Sequence, residues 1–335
     1  MHGSRADFLS CAPTHDGTLP RPHRGQRPVH RLSHVHLPDR HRHLIGTWIG
    51  SRGRRRGLIA QQVAPPAPEC YTVLTLPITK GVVFVQKHLT VVHFSPTGGT
   101  RRAALLLAEG LAERIEELDL TLPTSTGRAF GPQDAVLFAG PVFGGRLPPL
   151  MTQRLKNCTG EGTPAVTAAV YGNRAFDDAL LELNDCVTAQ GFRVVASAAL
   201  VAEHSISRAV AAGRPDGADR EQLLGFAPAI LRKLASGGDI SVPGNRPYRA
   251  WTPSRAVPAV SETCTACGQC AAQCPARAIS PDDPKHTDPE RCFLCMRCIA
   301  RCPQHARTYP AKAQAMVDQR LAPLRTVRRK NALPV

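Results

Sequence analysis

Short apolar runs and longer amphipathic stretches alternate between residues 88 and 240, and this alternation dominates the hydrophobic pattern of the chain. Four apolar runs have the length and the branched residues of buried strands; they cover residues 89–94, 135–139, 165–171 and 193–200. Leu118, Leu120 and Leu122 alternate with polar residues as a further strand would. Helical spacing predicts helices at 149–157, 176–190 and 219–235. The alternation predicts an α/β fold, a doubly wound parallel sheet.

A hydroxyl- and glycine-rich loop, here called the phosphate loop, follows the first predicted strand. It consists of Ser95, Pro96, Thr97, Gly98, Gly99 and Thr100. A helix is predicted next, with apolar positions at Ala104, Leu107, Ala108, Leu111 and Ile115. Backbone N–H groups of such a loop, together with the helix N-terminus, form an anion site, and glycine allows close approach. The loop is neither a Walker nor a Rossmann motif, so we expect a monoester phosphate; the alternative is an ordinary capped turn.

Two four-cysteine motifs lie near the C-terminus, and both have the spacing C-x2-C-x2-C-x3-C-P. The first motif contains Cys264, Cys267, Cys270 and Cys274; the second contains Cys292, Cys295, Cys298 and Cys302. This spacing is typical of bacterial iron–sulfur ligation, in which the fourth cysteine of each motif binds the other cluster. We therefore expect two [4Fe-4S] clusters. The first would take Cys302 as its fourth ligand, and the second would take Cys274.

Zinc and disulfides are the alternative interpretations of these cysteines. Structural zinc prefers two separated C-x2-C pairs, which is a different layout. A disulfide scaffold suits short secreted chains rather than one of 335 residues. The other four cysteines show no paired spacing and are interpreted as buried or incidental thiols; they are Cys11, Cys70, Cys158 and Cys186.

The N-terminal segment 1–87 is rich in histidine, arginine and proline and has no apolar periodicity before about Val73. We predict that it is disordered, because so little apolar surface cannot offset the entropy of ordering. A further hypothesis is that it is not native coding sequence. The next methionine is Met151, so a corrected start would need an alternative codon near residues 82–85.

The formal charge of +16 comes from the two ends of the chain. Residues 1–87 hold 13 Lys/Arg and 4 Asp/Glu, residues 88–253 hold 16 of each, and residues 254–335 hold 13 and 6. Basic residues are not interleaved with aromatic ones, so nucleic-acid binding is not expected. Apolar runs are too short for a membrane span, and Arg54, Arg55 and Arg56 precede too short an apolar stretch for an export signal. We predict a cytoplasmic protein.

The second half of the chain is predicted to contain three parts: a proline-rich linker at 241–258, a small α+β cluster domain at 259–310, and a basic tail at 311–335. Ala278–Ile279 and Arg307–Thr308 follow the two Cys-Pro steps symmetrically, and we expect them to pair as short strands. An Ala-rich helix is expected after Pro310. The basic residues of the tail are expected to be solvated.

The phosphate loop matches the flavodoxin pattern [ST]-x-T-G-x-T, so residues 88–240 resemble a flavodoxin-like FMN domain. With the two cysteine motifs, residues 88–308 resemble the single-chain flavodoxin–ferredoxin fusions called EFR1-type ferredoxins. The resemblance implies that residues 95–100 hold the FMN phosphate. By loop position it implies that Phe143 and Tyr171 flank the flavin ring, with Gly144, Gly172 and Asn173 as further contacts. Packing is the alternative role for Phe143 and Tyr171, because the acidic, aromatic-rich ring loops of short-chain flavodoxins are missing.

These observations favour an electron-transfer iron–sulfur flavoprotein that passes electrons between two [4Fe-4S] clusters and FMN, with a redox protein as donor or acceptor. The alternatives are an FMN-dependent oxidoreductase acting on a small molecule and a non-catalytic redox sensor. No catalytic residue is assigned; His204 and Ser205 are interpreted as part of a polar loop. Arg297 lies inside the second motif, and we expect it to raise the reduction potential of that cluster.

Overall fold

The computed structural model describes residues 71–73, 84–252 and 256–334. Its strands are β1 (Tyr71–Val73), β2 (Phe84–His93), β3 (Ala112–Asp119), β4 (Ala129–Phe130), β5 (Val136–Pro141), β6 (Thr159–Gly160), β7 (Thr163–Tyr171), β8 (Phe192–Val201), β9 (Ala259–Val260) and β10 (Arg307–Thr308). Its α-helices are α1 (Gly99–Ala108), α2 (Pro149–Leu155), α3 (Ala179–Thr188), α4 (Gly217–Ser236), α5 (Gln269–Ala272), α6 (Arg297–Ala300) and α7 (Ala311–Leu321). A 3-10 helix follows at Ala322–Leu324.

Five parallel strands form the central sheet in the order β3-β2-β5-β7-β8. Numbered along the chain, this order is 2-1-3-4-5, which is the flavodoxin-like arrangement of a doubly wound sheet. The strand β1 is antiparallel and pairs with the first residues of β2. The predicted fold class is confirmed.

Helices cover both faces of this sheet because alternate strand residues point to opposite sides. Val91 and Leu137 pack in the cluster that includes residues of α1 and α4. Their neighbours Val92 and Phe138 pack on the other face, in the cluster that includes residues of α2 and α3. The central strand β5 is buried throughout, whereas β3 at the edge is mostly exposed and buries only its first residue, Ala112. Because both faces of the sheet are covered by helices, a ligand can reach the sheet only at the loops that follow the strand ends.

The predicted extension of α1 to Ile115 is wrong. The helix ends at Ala108, and the turn that follows bends at Gly110, where a Cβ atom would lie only 2.8 Å from that of Ala227 in α4. Leu111 is buried in this turn, and Ile115 already belongs to β3, where it pairs with Leu89. The second strand therefore covers 112–119 rather than the predicted 118–122.

A small second part contains both cysteine motifs, a two-stranded sheet and two short helices. The strand β10 at Arg307–Thr308 is confirmed, but its antiparallel partner is β9 and not Ala278–Ile279. Ala278 and Ile279 are buried, and the N–H of Ala278 donates to the Cys274 sulfur instead of to a strand partner. The helix predicted after Pro310 is confirmed as α7.

The predicted boundary after residue 87 falls inside β2, which begins at Phe84, and Tyr71–Val73 forms β1. The prediction of disorder is therefore wrong for these two stretches. The rest of the N-terminal segment, with its histidines, lies outside the described residues. No helix in the described part of the chain combines the length and the apolar character that crossing a membrane requires.

The linker packs along α3 instead of spanning freely. Asp178 at the start of α3 accepts hydrogen bonds from the backbone N–H groups of Asn245 and Arg249, at 2.9 and 2.7 Å. Asp185 in the same helix accepts from the Arg246 guanidinium at 2.6 Å and from the Tyr248 hydroxyl. These contacts fix the first half of the linker on one side of the sheet.

The end of the C-terminal tail is bound to the sheet, whereas the basic residues of the tail are exposed, as predicted. Asn331 is buried, and its side-chain oxygen accepts from the N–H of Val201 at 2.8 Å. Its side-chain nitrogen donates to Asp219 at 3.0 Å, and Ala332 forms a bridge with Ala199 in β8. Arg328 forms an ion pair with Asp216. The tail therefore covers the edge strand β8.

We expect Asn331→Ala to lower the free energy of unfolding by about 1–3 kcal/mol, because it leaves buried partners without hydrogen bonds. Chemical denaturation would measure this, and the exposed Asn157→Ala should change stability by less than about 0.5 kcal/mol. Equal effects of the two substitutions would contradict the anchoring role of Asn331.

Candidate functional site

The phosphate loop is held in place by its own side chains and by the chain next to it. The N–H of Ser95 donates to the Thr121 hydroxyl at 2.7 Å, and the Ser95 hydroxyl accepts from the N–H of Arg101 at 2.9 Å. Gly98 has a φ of 96°, which favours glycine, and it precedes α1 without a side-chain cap. Ser95 thus braces the loop against α1.

The remaining N–H groups of this loop are available for an anion. Among the described residues, none accepts a hydrogen bond from the backbone N–H groups of residues 97–100. The space beside Gly98 is open, since a Cβ atom added there would meet nothing within 4 Å. Unpartnered N–H groups at the start of a ten-residue helix are what a phosphate needs. The geometry of the loop therefore fits a phosphate group.

The two arginines that follow this loop already have hydrogen-bond partners outside it. Arg101 donates to Glu117 at 2.5 and 2.6 Å, and Arg102 donates to the carbonyl oxygens of Gly213 and Arg214. Burial lowers the pKa of His93, although the nearby Asp119 and Glu117 act in the opposite direction. Both arginines after the loop are engaged elsewhere, so main-chain donors and the helix N-terminus are left to bind an anion.

The residues predicted to contact the flavin ring differ in placement. Phe143 is half-buried in the loop after β5, next to Gly144, which is exposed. Tyr171 is buried with its ring 5.5 Å from that of Phe176, which favours the packing alternative for Tyr171. Gly172 lies under His204, whose ring leaves no room for a Cβ atom.

Asn173 is buried and occupied by the C-terminal tail. Its side-chain nitrogen donates to the carbonyl oxygen of Val327 at 2.7 Å, and its side-chain oxygen accepts from the N–H of Arg329 at 3.3 Å. These hydrogen bonds give its side chain a structural role. They could not be predicted from the sequence, because their partners lie more than 150 positions away along the chain.

The eight motif cysteines line two cavities, four at each. One cavity is lined by Cys264, Cys267, Cys270 and Cys302, and the other by Cys274, Cys292, Cys295 and Cys298. The fourth cysteine of each motif thus faces the cavity of the other motif, as the spacing predicts. No group of three His, Cys, Asp or Glu side chains in the described chain converges as the ligands of one ion would. Thiols placed around a cavity fit an iron–sulfur cluster better than a single zinc ion.

The two motifs repeat the same backbone conformation. Left-handed φ angles occur at Ala266 and Leu294, at Gly268 and Met296, and at Arg277 and His305, which are equivalent positions of the two motifs. Five of these six residues are not glycine, so the conformation carries a strain that a functional constraint must offset. After each Cys-Pro step a backbone N–H donates to a cysteine sulfur at 3.3 Å, from Ala278 to Cys274 and from Ala306 to Cys302. Such N–H···S bonds stabilise a ligating thiolate.

The second motif is more buried than the first. Cys267 and its neighbours Thr265 and Ala266 are exposed, whereas Leu294 and Met296 are buried. Burial raises the pKa of the Cys292 and Cys295 thiols, and it raises the pKa of Cys298 to about 11. Bonding to iron would stabilise these thiolates, which would otherwise be costly in such surroundings.

The second motif packs directly against the phosphate loop. Arg297 is 8% exposed, and its guanidinium donates to the Pro96 carbonyl oxygen at 3.0 Å. The ring of Phe293 lies 6.3 Å from Phe94 and 6.0 Å from Phe143. All described residues fall within one compact unit. The sequence singled out Arg297 for its charge alone, and it gave no signal for this contact or for Phe293.

A flavodoxin-like fold followed by a 4Fe-4S dicluster domain is the organisation of this chain. Residues 263–318 match the family model of the 4Fe-4S dicluster domain and include both cysteine motifs. No curated protein matches the chain. The flavodoxin-like assignment stands on the strand order of the central sheet.

Several solved structures are similar to the flavodoxin-like part. The flavodoxin of Streptococcus pneumonia TIGR4 is 17% identical over 45% of this chain and 99% of its own, with a TM-score of 0.31. The NAD(P)H:quinone oxidoreductase of Methanothermobacter marburgensis is 18% identical over 46% of this chain and 99% of its own, with a TM-score of 0.31. The two-electron reduced flavodoxin of Megasphaera elsdenii is 18% identical over 42% of this chain and 98% of its own, with a TM-score of 0.27.

Proposed function

We propose that this chain is an electron-transfer iron–sulfur flavoprotein of the EFR1-type ferredoxin family, which passes electrons between two [4Fe-4S] clusters and FMN. The observation that carries the proposal is the contact between the second cysteine motif and the phosphate loop, through Arg297 and the Pro96 carbonyl. Bound FMN would supply one- or two-electron chemistry, and each cluster one-electron chemistry. The chain supplies the thiols, the phosphate cradle and the fixed spacing between them.

Within this proposal, Cys264, Cys267, Cys270 and Cys302 hold the first cluster, and the other four motif cysteines hold the second. Ser95 braces the phosphate loop, and the backbone N–H groups of residues 97–100 bind the FMN phosphate. Phe143 and Phe293 lie at the junction as candidates to contact the flavin ring. Trp251 is a third candidate, because a Cβ atom at Gly144 would lie 4.0 Å from its ring. In this proposal, Trp251 of the linker and Phe293 of the second motif take the place of the aromatic residues that short-chain flavodoxins have in their ring loops.

Exposure distinguishes the roles of the two motifs. The first motif presents Cys267 and its neighbours at the surface, whereas the second is buried beside the phosphate loop. A redox protein that docks on the first motif would come close to its cluster. We therefore propose that the first motif faces the external donor or acceptor.

Anaerobic purification with quantification of iron, sulfide and FMN tests the proposed function. We expect about eight irons, eight sulfides and one FMN per chain. A preparation that is colourless, or that holds zinc in place of iron, would overturn the proposal. A protein with clusters but without affinity for added FMN would point instead to a redox module without flavin.

Gly98→Ala should weaken FMN binding at least about tenfold, because a side chain at this positive φ strains the backbone by about 1–2 kcal/mol and shifts the N–H groups. Titration of the flavin-free protein with FMN, followed by fluorescence quenching, would measure the affinity. Gly162→Ala is a matched control, since Gly162 has a φ of 72° and open space around it. It precedes the start of β7, whereas the phosphate loop follows the end of β2, so the two lie at opposite ends of the parallel sheet. The control variant should lose similar stability and keep its FMN affinity; equal affinities of both variants would argue against the phosphate cradle.

A further inference from the structure

Arg307 is a buried cation between the two cysteine cavities. Only 2% of its surface is exposed. Its guanidinium donates to the Thr287 hydroxyl at 2.9 Å and to the Pro284 carbonyl, and its Nε has no hydrogen-bond partner among the described residues. Both of its acceptors are neutral, so its positive charge is solvated by dipoles alone.

An unpaired buried charge of this kind is strongly destabilising unless an opposite charge lies nearby. None of the ion pairs between described residues includes Arg307, whereas Arg214, which is 3% exposed, pairs with Asp219. Arg297, at 8% exposed, is also outside these ion pairs. The surroundings of Arg307 offer thiols instead of carboxylates. It lines the first cavity together with Cys270 and Cys302.

The charge of Arg307 also reaches the second cavity. Thr287, whose hydroxyl accepts from the Arg307 guanidinium at 2.9 Å, lines the second cavity together with Cys292 and Cys298. The negative groups that could balance Arg307 are therefore the thiolates of both cavities.

The internal repeat shows that a cation is not required at this place for packing. Arg307 follows Cys302 by five positions, and Ile279 follows Cys274 by five positions. Ile279 is buried to the same degree with an apolar side chain. The equivalent position is thus occupied by isoleucine after the first motif and by arginine after the second. Packing alone therefore does not account for the arginine.

We propose that Arg307 is the counter-charge of both iron–sulfur clusters and raises their reduction potentials. This inference rests on the proposed function. A cluster with four thiolates is negatively charged, and reduction adds one more negative charge. A buried cation stabilises the reduced form more than the oxidised form, because the Coulomb interaction is strong where water is excluded. Arg307 acts on the clusters through their charge and is a positioning residue rather than a ligand.

Potentiometric titration followed by EPR tests this role, after iron and sulfide have been quantified. Arg307→Ile installs the side chain of the equivalent position, and Arg307→Lys keeps the charge. Arg301→Gln is the control for a change of net charge, since Arg301 is exposed in the same motif. We expect Arg307→Ile to lower both midpoint potentials by clearly more than Arg301→Gln does, and Arg307→Lys to stay near the parent protein.

Unchanged potentials in an Arg307→Ile protein with full iron content would overturn the inference, as would a shift no larger than that of Arg301→Gln. If the Arg307→Ile protein does not retain its clusters, the Arg307→Lys protein tests the inference instead. Midpoint potentials of Arg307→Lys near those of the parent protein would support a role for the positive charge. Potentials as low as those of an Arg307→Gln variant would refute that role. A parent protein without iron and sulfide would instead refute the proposed function itself.

Discussion

Arg297→Glu should lower the reduction potential of the second cluster and loosen the second motif from the phosphate loop. The Arg297 guanidinium is buried, and burial lowers its pKa, yet its hydrogen bond goes to the neutral Pro96 carbonyl. Glutamate would place a negative charge beside the thiolates and two oxygens against a carbonyl oxygen. At an effective dielectric constant of 20, one charge about 8 Å away contributes about 2 kcal/mol, so a shift on the order of 50–100 mV is expected per unit charge.

Arg297→Gln separates the loss of charge from its reversal. The equivalent residue of the first motif is Gln269, so glutamine is compatible with the backbone of this turn. We expect about half the potential shift of the glutamate variant from the glutamine variant. EPR-monitored titration gives the potential, and FMN titration reports on the phosphate loop. A second cluster with an unaltered potential in the glutamate variant would contradict the role of Arg297.

The sheet and the cysteine cavities were predictable because their signals are local. The strands β5 and β7 are buried on both faces, so their sequences are mostly apolar, with the buried Thr167 as the polar exception in the run of β7. The cysteine spacing predicts that the fourth cysteine of each motif lines the cavity of the other motif, since each motif repeats the same turn. The end of α1 was missed because Leu111 and Ile115 continue the helical spacing by coincidence, while Gly110 ends the helix.

The contacts that join the two parts of the chain could not be predicted. Asn173 is saturated by a tail about 150 positions away, and Arg297 reaches a carbonyl 201 positions away. The hydrophobic periodicity of a sequence contains no information about hydrogen bonds between such distant residues. The neutral partners of the buried Arg307 are equally invisible in the sequence, where a basic residue near the C-terminus resembles the solvated ones around it. The interface between clusters and phosphate loop thus emerges only from the three-dimensional structure.

Cys302→Ala and Cys274→Ala should each remove one cluster, and in each case the cluster of the other motif. Cys302 belongs to the second motif but lines the first cavity, and Cys274 belongs to the first motif but lines the second cavity. We expect either variant to lose about four irons per chain, because a [4Fe-4S] cluster needs all four thiolates for stable binding. Iron analysis with EPR would show one remaining cluster in each.

The identity of the remaining cluster is the decisive observation. After Cys302→Ala it should still respond to a second substitution, Arg297→Gln, because Arg297 lies at the second motif beside the phosphate loop. After Cys274→Ala it should not. The buried Cys158 lines neither cavity, so Cys158→Ala should keep all of the iron and controls for the loss of a thiol. The opposite pattern, in which Arg297→Gln acts only on the Cys274→Ala protein, would show that each motif binds its cluster with its own four cysteines.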